Sequence, residues 1–74
     1  RFLHRGRMIA KGDITASFHQ GVDNQGLLSA GGVMTLRLPE LINQQRGEIS
    51  AGQTDIQVQT TLHNRGLIDG GLTL

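Results

Sequence analysis

The chain of 74 residues is predicted to be all-β: a parallel β-helix, or β-solenoid, of about four coils with a repeat of 19–21 residues. Three observations carry the prediction. Aliphatic residues recur in two linked columns, a polar turn containing glycine separates the columns, and a strict period of two follows each glycine corner.

The first column is Leu3, Val22, Leu41 and Leu62, and the second is Ile9, Leu28, Ile49 and Ile68. Between them lie "HRGRM", "DNQGLL", "INQQRGEI" and "HNRGLI". Asn24, Asn43 and Asn64 share one position of that turn, and Arg5 stands there in the first copy. A second corner follows, written "AKG", "SAGG", "SAG" and "DGG", with Gly12, Gly31, Gly52 and either Gly70 or Gly71. Glycine and asparagine accept the backbone angles that sharp corners require.

After each corner the pattern alternates: Ile14, Ala16 and Phe18, then Ile56 and Val58, then Leu72 and Leu74. Period two means strand. In the second copy Val33 and Leu36 fall out of phase while Met34, Leu36 and Leu38 alternate, which predicts a bulge or shift there. Pro39 lacks a ladder donor and is expected to end a strand. The coils run approximately 1–19, 20–38, 39–59 and 60–74, with two or three strands each. No copy buries its own apolar face, whereas stacking in register at about 4.8 Å per coil buries it against its neighbours. The glycine density and the lack of an i, i+3, i+4, i+7 stripe disfavour helices.

Composition narrows the function. The chain has no cysteine, so disulfides and Cys-based zinc sites are excluded. The net charge is +1, Trp and Tyr are absent, and Phe2 and Phe18 are too few for a base-stacking platform, so no nucleic-acid partner is expected. Arg1, Arg5 and Arg7 crowd the start and are expected to lie on a solvated turn or edge. No membrane-spanning segment and no signal peptide are expected. Open strand edges at both ends of the stack point to a piece of a longer solenoid.

Specific chemistry finds little support. Asp69 is expected to stack over Ser50, Ser29 and Ala10, and Glu48 to lie between Leu27 and Leu67, so no two acids align in neighbouring coils for glycan cleavage. Asp13, Asp23, Glu40 and Asp55 likewise lack an acidic partner one repeat away. His4 and His63 are expected at the same turn position, three coils or about 14 Å apart, too far to share a metal. His19 has no aligned His or Cys, and Ser17, Ser29 and Ser50 have no aligned base. "DGGLTL" lacks the nine-residue period of calcium-binding glycine-aspartate repeats. No catalytic residue, metal ligand or cofactor is expected. Asn24, Asn43 and Asn64 are expected to be structural, hydrogen-bonding along a ladder and satisfying turn backbone groups.

The stretches "VDNQGLLSAGGVMTL", "RGEISAGQTDIQV" and "LHNRGLIDGGLTL" together resemble the haemagglutinin-type repeats of filamentous haemagglutinin and related two-partner-secreted exoproteins. The resemblance covers essentially the whole chain. It implies a right-handed coil in the shaft of a large Gram-negative adhesin, secreted or held at the cell surface. It also implies export by the general secretion route and then through a dedicated outer-membrane transporter. Relatives serve in adhesion, biofilm or contact-dependent growth inhibition. No site residue carries over, and Arg5 and Lys11 depart from the pattern in the first copy.

The leading expectation is a structural shaft segment whose partners are the neighbouring repeats of its own chain, and which projects distant domains towards host cells or neighbouring bacteria. The alternative is a carbohydrate- or sulfated-glycan-binding module that uses an exposed face bearing Arg37, Arg46 and Arg65.

Overall fold

The computed structural model describes residues 2–73. Its strands are β1 (Phe2–His4), β2 (Arg7–Ala10), β3 (Ile14–Ser17), β4 (Val22–Asn24), β5 (Leu27–Ala30), β6 (Val33–Asn43), β7 (Glu48–Asn64) and β8 (Leu67–Thr73). There is no helix among the described residues. Every strand pairing is parallel: β1 with β4, β4 with β6, β2 with β5, β5 with β7, β3 with β6, β6 with β7, and β7 with β8. Parallel pairing between segments about one repeat apart makes a β-solenoid of about four turns.

The pairings divide each coil into three faces. We label as face A the segments Phe2–His4, Val22–Asn24, 41–43 and 62–64, as face B those starting at Arg7, Leu27, Glu48 and Leu67, and as face C those around Ile14, Met34, Thr54 and Leu72. Three strands per coil is thus the resolution of the two-or-three alternative. In the later coils the chain stays extended through its corners, so β6 joins face C to face A and β7 runs through B, C and the next A.

The first coil is one residue longer than its aliphatic columns predict. Phe2, not Leu3, pairs with Val22, and Met8, not Ile9, pairs with Leu28. Leu3 sits beside Asp23 and Ile9 beside Ser29, and both face outward at 44% and 58% exposure. The physical reason is the corner. A Cβ on Gly26 would collide with the carbonyl of Gly6 and the backbone of Arg5, so these turns nest in one register, and Leu27 N–H donates to the Gly6 carbonyl at 3.0 Å. Phe2 and Leu3, like Met8 and Ile9, are adjacent apolar pairs, so hydrophobicity alone leaves the phase open. From Val22 and Leu28 onward the residues pair in register, Val22 with Leu41 and Leu41 with Leu62, Leu28 with Ile49 and Ile49 with Ile68.

The second corner also differs. Gly32 N–H donates to the Gly12 carbonyl, whereas Gly31 lies against Lys11. Gly71 pairs with Gln53 across a register shift, while Gly70 packs over Ala51 with φ +108°, the left-handed region where a side chain is strained. The irregularity expected near Val33 is absent, since β6 keeps one register from Val33 to Leu38 with Val33 facing outward. It falls instead at Pro39, which does not end its strand: Leu38 pairs with Val58 but Glu40 with Thr61. The slip places the proline where no ladder bond is needed, and its carbonyl accepts a 2.7 Å bond from the Thr60 hydroxyl.

The core lies in the two middle coils: Val22, Leu28, Ala30, Met34, Leu36, Leu38, Leu41, Ile49 and Ile56 are buried. Ile14, Ala16 and Phe18 below and Val58, Leu62 and Ile68 above pack against it. At the first coil the same interior rows are open, with Phe2 at 43% and Met8 at 46% exposure. Phe2 stacks there on Phe18, ring centroids 5.8 Å apart.

Candidate functional site: the asparagine ladder and the solenoid surface

The last residue of face A points inward and begins the turn into face B. In three coils it is Asn24, Asn43 or Asn64, paired in register. Asn24 and Asn43 are fully buried, a costly place for an amide unless every polar atom is satisfied. The Asn24 amide donates to Asn43 Oδ1 at 2.9 Å, and the Asn43 amide to Asn64 Oδ1 at 2.8 Å. Each amide also reaches the first carbonyl of face B in the following coil, Asn24 to Glu48 O at 3.5 Å and Asn43 to Leu67 O at 3.1 Å. The oxygens close the turns: Gly26 N–H donates to Asn24 Oδ1 at 3.3 Å and Gly66 N–H to Asn64 Oδ1 at 3.2 Å. Two residues, Gln25 and Gly26 or Arg65 and Gly66, make the usual turn, whereas the third coil has four, Gln44 to Gly47. There the Asn43 amide adds a 3.3 Å bond to the Gly47 carbonyl.

Arg5 does not occupy the ladder position in the first coil. His4 does, in register with Asn24, and its Nε2 lies 3.1 Å from the Leu27 carbonyl. That contact repeats the relation of Asn24 to Glu48 and of Asn43 to Leu67, so the imidazole N–H replaces an amide N–H. His63 therefore shares no row with His4. It pairs with Ile42 on the outward side, and its Nε2 accepts a 3.0 Å bond from Arg65 Nε.

The three arginines of the expected glycan face are not brought together. Arg37 projects from face C between Ser17 and Gln57. Arg46 lies in the enlarged turn, and Arg65 lies in the corresponding turn of the next coil, so those two share the corner between faces A and B. The separation follows from phase, because Arg37 belongs to the alternating strand and the other two to the turns.

The acid rows agree with expectation except at one end. Asp69 stacks on Ser50 and Ser50 on Ser29, but Ile9 rather than Ala10 completes the row, and Glu48 lies between Leu27 and Leu67. Among the described residues no three His, Cys, Asp or Glu side chains gather as metal ligands would. Asp23 accepts a 3.1 Å bond from the Gln44 amide through Oδ2, while its Oδ1 is buried without a partner. Sequence reasoning missed Thr54, a fully buried threonine in the row of Ile14 and Met34 whose hydroxyl donates to the Asp69 carbonyl at 3.3 Å. Extending the alternation of Ile56 and Val58 back by two would have found it. It also missed His4, for which the equal spacing of Gly6 to Gly26 and Gly12 to Gly32 was the available signal.

These features define a class, a parallel β-solenoid held by interior ladders. No family model matches the chain, and no solved structure matches it. A curated relative does: over 58 residues, 78% of this chain, it is 43% identical to a protein named Deoxyribonuclease CdiA from Dickeya dadantii (strain 3937). The chain spans 2% of that relative's length, so the likeness is to a short stretch of a very long polypeptide. No helix among the described residues is long and apolar enough to cross a membrane.

Proposed function

We propose that this chain is a shaft segment of a large exoprotein of the two-partner-secreted, contact-dependent inhibition type, secreted or displayed at the bacterial surface. The observation that supports this most directly is the continuity of the interior rows. Face A, the inward ladder of His4, Asn24, Asn43 and Asn64, and face B pass through every described coil without enclosing a site. Such a stack gains length by adding coils, each stabilised by its neighbours. The likeness to 2% of a long relative supports the same reading, as does the resemblance to haemagglutinin-type repeats. We assign no catalytic role to the segment. Its partners are the flanking coils and, during export, the outer-membrane transporter, and its service is to hold adhesive or effector domains away from the cell.

The test is Ile49→Asp in the secreted protein that carries the segment, with Ile49→Val as control. Ile49 is fully buried in the middle of the stack, and an unpaired carboxylate there opens the coils. The shaft reading expects Ile49→Asp to lower secretion or leave secreted protein sensitive to protease within these repeats, with Ile49→Val close to wild type. Unchanged secretion and resistance for Ile49→Asp would sink it.

A further inference from the structure

We infer that the groove across the end of face C, where the chain turns towards face A, is a binding site for a carboxylate-bearing sugar residue. This goes beyond the shaft reading, and it does not revive the three-arginine face, since only Arg37 takes part.

The groove arises from a difference in turn length. Three residues, His19 to Gly21, join Phe18 to Val22 in the first coil, and three, Gln59 to Thr61, join Val58 to Leu62 in the third. In the second coil only Pro39 and Glu40 join Leu38 to Leu41, and the register slips at that point. The middle turn therefore has one residue fewer than the turns on either side of it, and beside it lies a depression of about 510 Å³ with residues of all three coils in its lining. That volume suits one or two sugar rings.

Its lining has two parts. Half-buried Phe18 and Val58 supply apolar surface beside buried Leu38, while Ser17, His19, Arg37, Gln57 and Gln59 supply polar groups. A pyranose has the same duality, an apolar C–H face and an equatorial rim of hydroxyls, and neutral amides and hydroxyls pair with that rim as both donors and acceptors. Arg37 is exposed, and no Asp or Glu is among the described residues of the lining. The nearby Asp55 carboxylate is engaged by the Gln57 amide at 3.4 Å. One planar guanidinium among neutral partners matches a single carboxylate, which it grips through two parallel N–H donors. A sulfated polymer would call for several cations in a row, and the lining holds one arginine.

The experiment is saturation-transfer NMR on the intact secreted protein, using glucuronate, glucose and a short glucuronate-containing oligosaccharide as probes. Arg37→Gln is compared with Arg65→Gln. The expected result is saturable transfer to glucuronate that falls about tenfold in affinity with Arg37→Gln, is unchanged with Arg65→Gln, and is about tenfold weaker for glucose. Stronger transfer to the oligosaccharide than to the free sugar acid assigns the ligand to a glycan chain, and equal transfer assigns it to the monosaccharide. Gln59→Ala, an exposed residue in the lining with no role in the core, is expected to weaken binding as well. Absence of saturable transfer, equal binding by Arg37→Gln, or equal binding of glucose overturns the site. Secretion and protease resistance of the same variants report on the shaft separately, so the two readings fail independently.

Discussion

Replacing Asn43 with leucine tests the ladder at its centre. The side chain takes a 2.9 Å bond from Asn24 and gives bonds to Asn64 Oδ1, Leu67 O and Gly47 O at 2.8, 3.1 and 3.3 Å. Leucine has the same branched skeleton, with bulkier methyl groups, and makes none of them. The Gly47 carbonyl keeps the Leu67 N–H at 3.1 Å and Asn64 Oδ1 keeps the Gly66 N–H at 3.2 Å, but the buried Asn24 amide is left with one hydrogen unpaired. The four lost bonds, at about 0.5–1.5 kcal/mol each, together cost about 2–6 kcal/mol. Burying the leucine in place of the amide returns roughly 1–2 kcal/mol, so the net loss is about 3 kcal/mol. Local opening in a stacked solenoid is read by hydrogen exchange. Amides of residues 22–30 and 41–51 in the secreted protein are expected to exchange about a hundredfold faster in Asn43→Leu, at about 1.4 kcal/mol per tenfold. Gln45→Leu, at an exposed residue of the enlarged turn outside the ladder, is expected to change exchange by less than about tenfold. Equal effects of the two substitutions, or an Asn43→Leu change below tenfold, would refute the claim that amide pairing rather than amide volume holds the coils.

The other predictions concern single positions. Gly70→Ala forces a Cβ onto a residue at φ +108° and into the Ala51 carbonyl, so it is expected to cost more than about 2 kcal/mol in thermal unfolding, and a loss below about 0.5 kcal/mol would discredit the packing argument. Thr54→Val keeps the shape and gives up only a 3.3 Å bond to the carbonyl of exposed Asp69, so stability is expected to stay within about 1 kcal/mol, and a loss above about 2 kcal/mol would show that the hydroxyl is structurally required. His4→Asn keeps an N–H for the Leu27 carbonyl and His4→Leu does not, so proteolysis or exchange at residues 26–28 is expected to be near wild type in the first and several-fold faster in the second. The reverse order would remove histidine from the ladder.

The middle coils were legible from sequence because several signals agree there. Val22, Leu28, Asn24 and the Met34–Leu36–Leu38 alternation all demand one phase, and Leu41, Ile49 and Asn43 repeat it. The first coil misled because its apolar residues come in adjacent pairs and its ladder residue is a histidine. Aliphatic spacing then favoured a 19-residue step, while the glycine turns required twenty. Close approach of backbones outranks side-chain hydrophobicity: a glycine that leaves no room for a Cβ fixes the register, whereas Leu3 and Ile9 lose little as single apolar residues on the outward side. The groove was hidden for another reason. It depends on the length difference between turns in three successive coils, and that becomes visible only once the coils are correctly aligned.

The ladder has a direction. Asn24 donates to Asn43 and Asn43 to Asn64, so each amide is satisfied by the coil that follows it in sequence. The carbonyl contacts from His4, Asn24 and Asn43 to Leu27, Glu48 and Leu67 point the same way. Each new coil therefore meets the unspent donors of the coil before it and brings its own acceptors. A chain that emerges from a pore with its earlier coils first presents the donors in the right order, and addition of each coil removes an unsatisfied amide as well as apolar surface. Outward residues carry no such constraint. Arg37 and Gln59 vary without touching the interior rows, so the polar groups of the proposed groove are free of the core's demands, while Phe18, Leu38 and Val58 belong to both.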